Sequence, residues 1–150
     1  MRLLPALIDQ PHFEPLQRFL THDTDLRKRY QLSERLADLF DQYQVYRADW
    51  LEDWAAGRHQ LRNARGETPP LSPANCWQAE LWRALLLDVG EEGMAQSRAG
   101  VHQRFIEKIN SLEQAPPGLP ARVIVFGISS LPAQALEALA GLARFSQVLL

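Results

Sequence analysis

The sequence predicts a mainly α-helical fold that ends in a β-α-β unit. Apolar residues recur at helical spacing through most of residues 1–115, which is the pattern of amphipathic helices. After that point only Arg122, Glu137 and Arg144 are charged, and two apolar runs flank an alanine-rich segment. Short apolar runs on either side of a helix are typical of parallel strands joined by a helical crossover.

The spacing of apolar residues defines the first helices. One helical stretch runs from Phe13 to Leu20. Asp23 and Thr24 are candidate N-caps of a longer helix, which we predict to continue to Tyr46. The stripe that should face the core of that helix consists of Leu32, Leu36, Leu39, Phe40, Tyr43 and Tyr46.

A break near Arg47 precedes a short helical continuation that carries Trp50, Leu51 and Trp54. Residues 57–74 show no periodicity, and three prolines forbid a continuous helix there. We therefore predict a loop, to which three arginines give a mild positive charge: Arg58, Arg62 and Arg65.

Two more helices follow the loop. Asn75 is a suitable N-cap for the first, which carries Trp77 and Trp82 and should end at Gly90 and Gly93. The second is predicted over residues 101–112, with a buried face formed by Val101, Phe105, Ile109 and Leu112.

The end of the chain reads as strand, helix and strand. Val123–Phe126 is an apolar run typical of a buried parallel strand, residues 135–143 form a helix, and residues 146–150 form a second strand. We predict a helical subdomain over residues 1–115 and a partial β-α-β piece over residues 116–150. Because a lone β-α-β unit cannot cover both faces of a sheet, we expect the sequence to be a segment of a larger protein.

Charge and composition exclude several classes of function. The formal charge is −2, from 16 Lys and Arg against 18 Asp and Glu, so nucleic acid would have to bind through a local patch. Cys76 is the only cysteine, which excludes an internal disulfide and favours a reducing compartment such as the cytoplasm. No window of the sequence has the roughly 18 apolar residues of a membrane helix. We therefore expect a soluble protein that does not enter a membrane.

Residues for catalysis or for a cofactor are not apparent in the sequence. None of the eight glycines is followed by Lys, so the end of a phosphate-binding P-loop is missing. The four histidines do not have the spacing of metal ligands. In P-loop ATPases, acids at a strand end hold Mg²⁺ and activate water, but here Phe126 and Gly127 follow the strand. We predict no cofactor, no metal and no ATPase chemistry for this segment.

The long helix has a polar face opposite its apolar stripe. At about 100° per residue, Asp38, Asp41, Gln42 and Val45 share one side. Patterning alone favours a solvated face. The alternative is a surface that reads base edges, because Asp accepts from the amino group of cytosine and Gln pairs with adenine through two atoms. Such a surface would need basic neighbours, for which Arg47 and Arg98 are candidates.

Four blocks of the sequence carry a family resemblance. They are Leu36–Leu51, Trp77–Trp82, Gln103–Glu107, and Pro116–Val123 with Phe126–Pro132. Together they resemble the RecC family, the gamma subunit of bacterial exodeoxyribonuclease V (the RecBCD helicase–nuclease), in the same order along the whole chain. The loop at residues 57–74 has no counterpart in the resemblance and is long for the family.

The resemblance implies the fold of a superfamily 1 helicase-like, P-loop NTPase-like domain that has lost its ATPase motifs. Phe126 and Gly127 would stand at the positions of the lost acids. Family members split duplex DNA ends, guide the single strands, and scan the 3′-ended strand for the recombination hotspot Chi during double-strand break repair by homologous recombination. Their partners are the RecB and RecD subunits and DNA. The Chi-reading surface would comprise Asp38, Leu39, Asp41, Gln42, Arg47 and Arg98.

Two other classes stay open on the residues alone. An active ATP-dependent helicase fragment would need acids at position 126 or 127, which the sequence lacks. A stand-alone helical protein-interaction domain would explain the four tryptophans, but it would not explain the apolar β-α-β unit.

Overall fold

A computed structural model of the chain describes residues 2–21, 26–128 and 130–150. Most of these residues are helical, and the regular sheet that they form has two parallel strands. The predicted class, mainly α with a terminal β-α-β unit, is therefore confirmed. The chain divides into two compact units, residues 1–91 and residues 92–150, which are described separately here.

The first unit is helical. Its elements are α1 (Leu4–Leu7), a 3-10 turn (Pro11–Phe13), α2 (Glu14–Leu20), α3 (Arg27–Tyr46), α4 (Ala48–Ala55), a second 3-10 turn (Pro73–Asn75) and the first part of α5 (Cys76–Gln96). The long helix ends at Tyr46 as predicted. The predicted N-caps Asp23 and Thr24 lie outside the described residues. Leu26 precedes α3 with a left-handed backbone, φ +62°.

The core of the first unit joins the apolar sides of its helices. Its buried members include Phe13, Leu16, Leu36, Phe40, Leu51, Trp54, Leu71, Ala79 and Leu81. Two residues of the predicted apolar faces are instead exposed: Tyr46 on α3 and, in the second unit, Val101 of the helix predicted over residues 101–112. Tyr46 is the last residue of α3, where the chain breaks away from the helix axis, so the stripe ends at Tyr43.

The helix α5 is interrupted at Gly90, which has φ +69° and ψ −178°. A residue with a Cβ rarely adopts this conformation, so glycine is required for the break. The prediction that Gly90 ends the regular helix is confirmed. Gly93 does not end it, because helical structure resumes and continues to Gln96.

The second unit contains α6 (Arg98–Ser111), β1 (Arg122–Ile124), α7 (Ala133–Leu142) and β2 (Gln147–Leu149). The strands pair in parallel, with Val123 opposite Val148. Gly141 of α7 packs on Ile109 of α6, and a Cβ on the glycine would lie 2.9 Å from the Ile109 Cγ2. The second unit therefore begins before α6 and contains both α6 and the sheet. The division predicted at residue 115, between α6 and β1, stays a prediction.

The strand β1 was expected to be buried, and in this chain it is not. Ile124 is 65% exposed and Phe126, just beyond the strand, is 93% exposed. Only the middle residues Val123 and Val148 are half-buried. The physical reason is that one crossover helix covers one face of a two-stranded sheet and leaves the other face open.

Candidate nucleic-acid interface

Helix α3 has two chemically different faces. Leu36 and Phe40 are buried at 7% and 4% exposure, whereas Asp38, Asp41 and Gln42 are exposed. Leu39 lies at the boundary and is half-buried. The predicted orientation of the helix, with the apolar stripe inward and the polar face outward, is thus confirmed by the structure.

An aromatic cluster anchors the buried side of α3 to the rest of the first unit. The Phe40 ring stacks on Trp82 with centroids 5.5 Å apart, and Trp82 Nε1 donates to the Leu51 carbonyl at 3.1 Å. The Tyr43 hydroxyl donates to Gln78 Oε1 at 3.0 Å, and burial raises the pKa of Tyr43. Aromatic pairs with these separations add directional packing to simple burial. The exposed face of α3 is therefore carried by a firmly anchored helix.

Arg47 occupies the break between α3 and α4, with φ −140° and ψ +42°. Its guanidinium donates to Asp49 from Nε at 3.0 Å and from Nη2 at 2.8 Å, and it lies 3.7 Å over the Trp50 ring. Nη2 also contacts the backbone carbonyl of Arg62. The side chain is therefore oriented by an ion pair with Asp49, by the Trp50 ring and by a backbone carbonyl.

The sequence analysis missed a buried carboxylate, Asp53, that organises the next segment. Asp53 on α4 is fully buried. Its Oδ1 accepts from Arg58 Nε and Nη2 at 3.0 and 2.8 Å and from Arg62 Nη2 at 2.8 Å. Its Oδ2 accepts from Arg62 Nε at 2.8 Å and from Gln60 Nε2 at 2.9 Å. The hydrogen bonds from Arg62 are the main cause that lowers the pKa of Asp53 far below its usual range.

Residues 57–74 are consequently an ordered hairpin-like segment, although they contain no α-helix and no regular strand. Leu61 N donates to the Pro69 carbonyl and Leu71 N donates to the His59 carbonyl, at 2.9 and 2.8 Å. At the tip, the Asn63 carboxamide oxygen accepts from the backbone N–H of Glu67 at 3.0 Å. Arg58 and Arg62, predicted to give the segment a positive charge, both pair with Asp53, so the carboxylate offsets one of their two charges.

One sequence signal for this arrangement was available. Arg58, Gln60 and Arg62 alternate, and alternate residues of an extended segment point to the same side. A row of donors on one side predicts an acceptor facing it. The acceptor itself, Asp53, lies within the short helix that carries Trp50 and Trp54, and the sequence alone does not distinguish it from a surface acid.

The remaining candidate residues lie in the second unit. Arg98 is exposed and is the first residue of α6, where the Ser97 hydroxyl caps the helix by accepting from Gly100 N at 3.2 Å. Phe126 and Gly127 follow β1, and Gly127 has φ +75°. Val125 still pairs with β2, since its N–H donates to the Leu149 carbonyl at 2.9 Å. The strand end carries an exposed aromatic ring and a turn glycine.

Within residues 2–21, 26–128 and 130–150, no group of three or more His, Cys, Asp or Glu is arranged to hold a metal ion. Among the same described residues, no helix has the length and apolarity to cross a membrane.

The chain thus combines helices, one of which has an exposed polar face, with a small parallel β-α-β unit. Comparison with known proteins gives the family. The chain matches the family described as "RecC, N-terminal domain" over residues 1–150, and it belongs to that family.

Curated relatives agree with this assignment. The chain is 45% identical over 149 residues to the RecBCD enzyme subunit RecC of Escherichia coli, 37% identical to that of Haemophilus influenzae, and 32% identical to that of Mycobacterium tuberculosis. The matches cover 99%, 93% and 93% of this chain. They cover only 13%, 14% and 12% of the relatives, so the chain spans about an eighth of their length.

Proposed function

We propose that this chain is a non-catalytic, DNA-handling segment of a RecC-type subunit that guides the 3′-ended single strand and scans it for Chi. It would work with RecB and RecD subunits on DNA ends during double-strand break repair by homologous recombination, in the cytoplasm. Membership in the RecC family supports the assembly and the process. The scanning role is supported by the surface of α3.

The observation that carries the proposal is the polar face of α3 on a helix anchored by its opposite side. Exposed Asp38 and Asp41 are hydrogen-bond acceptors that suit the cytosine amino group, and exposed Gln42 suits the two-atom edge of adenine. Leu39, which is half-buried at the edge of this face, offers an apolar contact to a base. Rigid placement matters because base-edge discrimination depends on the geometry of the hydrogen bonds.

Carboxylates repel the phosphates that accompany every base, so the reading face needs cations. Arg47 follows α3 directly, and its guanidinium is already oriented by Asp49 and Trp50. A guanidinium has donors on three nitrogens, and the contacts described above use Nε and Nη2. In the proposal Arg47 and Arg98 contact the strand and offset the repulsion.

The non-catalytic part of the proposal depends on β1. A parallel β-α-β unit is the building block of P-loop NTPase cores, which supports a helicase-like fold for residues 116–150 and an inserted helical subdomain for residues 1–115. Phe126 and Gly127 offer no carboxylate for Mg²⁺ or water. We propose that this strand end is a degenerate ATPase site in an enzyme whose helicase and nuclease activities reside elsewhere.

The test uses the assembled RecBCD-type enzyme of the source organism. Linear duplex DNA containing a randomised stretch is degraded, and the sequence enriched next to the ends of surviving 3′ strands identifies Chi. Asp41→Ala and Gln42→Ala should weaken or alter the enriched sequence while unwinding before Chi stays near wild type. Loss of one good base contact should reduce discrimination by about 1–3 kcal/mol.

The controls remove the same chemical groups elsewhere. Glu91→Ala and Gln10→Ala each remove an exposed polar side chain outside α3 and should leave the enriched sequence unchanged. If Asp41→Ala melts the subunit but leaves the Chi response untouched, the role proposed for this face is wrong.

A further inference from the structure

A chain of contacts runs from the buried carboxylate of Asp53 to the guanidinium of Arg47. Arg62 donates two hydrogen bonds of 2.8 Å to Asp53, one to each carboxylate oxygen. This two-point contact fixes the position of Arg62 more tightly than a single ion pair would. Because Asp53 is fully buried on α4, the hairpin is tied to the core of the first unit.

The backbone carbonyl of Arg62 is the next link. It accepts from Trp50 Nε1 at 2.8 Å and from the Arg47 guanidinium. The Arg47 guanidinium stacks on the same Trp50 ring, with its Cζ 3.7 Å from the ring centroid. One carbonyl oxygen therefore fixes both the arginine and the ring on which the arginine stacks.

An arginine side chain has many rotamers in solution, and most of them are lost when it binds a ligand. A side chain that is already held loses less conformational entropy on binding, so binding is tighter. The contacts around Arg47 are of this kind. Asp49 and Trp50 of α4 hold the guanidinium, and the Arg62 carbonyl adds a contact from residues 57–74.

We propose that Asp53 is a positioning residue for Arg47: through Arg62 it holds the hairpin carbonyl that orients the Arg47 guanidinium toward the DNA strand. This inference rests on the proposed function, in which Arg47 contacts that strand. Asp53 itself does not touch DNA. In this inference residues 57–74 hold Arg47 in position beside the exposed face of α3 and are not a separate binding element.

The structure provides a matched pair of variants. Arg58 and Arg62 each donate two hydrogen bonds to Asp53, and their side chains are exposed to similar degrees, 51% and 43%. The Arg62 carbonyl contacts Arg47, whereas the Arg58 N–H bonds back to the Asp53 carbonyl at 2.8 Å. Arg62→Ala and Arg58→Ala therefore weaken the same ion cluster but should affect Arg47 differently.

The experiment measures the Chi response and the unwinding rate of the assembled enzyme carrying Arg47→Ala, Asp53→Asn, Arg62→Ala or Arg58→Ala. Arg47→Ala should abolish or strongly reduce the Chi response. Asp53→Asn and Arg62→Ala should reduce it several-fold, up to roughly tenfold, with unwinding retained. Arg58→Ala should leave it near wild type. Asp53→Asn combined with Arg47→Ala should be no worse than Arg47→Ala alone, because both act on one contact.

The outcomes distinguish failure of this inference from failure of the proposed function. If Arg47→Ala leaves the Chi response intact, the proposed role of Arg47 is wrong and the inference falls with it. If Arg47→Ala removes the response while Asp53→Asn keeps it, only the inference is overturned. Should Asp53→Asn prevent assembly, the arginine pair decides: equal effects of Arg58→Ala and Arg62→Ala overturn the inference, and a selective effect of Arg62→Ala supports it.

Discussion

Replacing Asp53 by Asn removes one negative charge from the buried cluster and keeps the shape of the side chain. Breaking a buried ion pair on one side destabilises a protein by about 3–5 kcal/mol, because the partner charge is left uncompensated. Here the Arg58 and Arg62 side chains are 51% and 43% exposed, so water can solvate them after the change. We therefore expect Asp53→Asn to lower the free energy of unfolding by about 3 kcal/mol, the lower end of that range.

The pH dependence follows from the direction of the Asp53 pKa. The folded pKa is held below the unfolded value of about 3.9, mainly by the hydrogen bonds from Arg62. The stabilisation is therefore complete above pH 3.9 and is lost as the pH falls from there toward the folded pKa. In that range each pH unit removes about 1.4 kcal/mol.

Urea titrations of the wild type and of Asp53→Asn at pH 7, 5 and 3 measure both effects. The difference between the two proteins should be about the same at pH 7 and 5, and smaller by about 1 kcal/mol at pH 3. Asp49→Asn is the control, since its ion pair with Arg47 is partly exposed and should contribute less than about 1 kcal/mol. An Asn variant as stable as the wild type at pH 7, or a difference that does not shrink in acid, would show that the charge of Asp53 does not stabilise the fold.

The remaining predictions concern packing and nucleotide binding. Phe40→Ala should destabilise the protein by about 3–5 kcal/mol in a urea titration, since the ring is buried and stacks on Trp82; a loss below 1 kcal/mol would contradict this packing. Gly141→Ala should lower the free energy of unfolding by up to about 2 kcal/mol, because overpacking against Ile109 Cγ2 outweighs the gain of about 1 kcal/mol in helix propensity. Adding Ile109→Leu, which removes that methyl group, should restore part of the loss. Isothermal titration of the chain with Mg²⁺ and ATP should show no binding, and micromolar affinity would refute the degenerate site at Phe126 and Gly127.

Elements governed by local periodicity were predictable from the sequence. The 20-residue helix α3 has one continuous apolar stripe, and its end at Tyr46 follows from the interruption of that stripe near Arg47. The parallel pairing of β1 and β2 follows from the strand–helix–strand order, which allows few topologies. The same stripe located the exposed side of α3, and hence Asp38, Asp41 and Gln42.

What the sequence did not reveal depends on contacts between separate segments. The order of residues 57–74 depends on Asp53. The alternation of Arg58, Gln60 and Arg62 predicts an acceptor, but nothing in the sequence identifies Asp53 as that acceptor. The exposure of Ile124 and Phe126 is a second case, since an apolar run predicts a strand but not what covers it. The placement of Arg47 is a third, because one of its contacts is a backbone carbonyl, a group that every residue has.

The proposed function depends on contact between the exposed face of α3 and the strand that is scanned. A photo-crosslinking amino acid placed at position 42 in the assembled enzyme, irradiated with the enzyme paused at Chi, tests that contact directly. We expect crosslinks to bases of the 3′-ended strand within Chi, and few when the same group is placed at position 10. Crosslinks confined to the 5′-ended strand, or equal yields from the two positions, would contradict it.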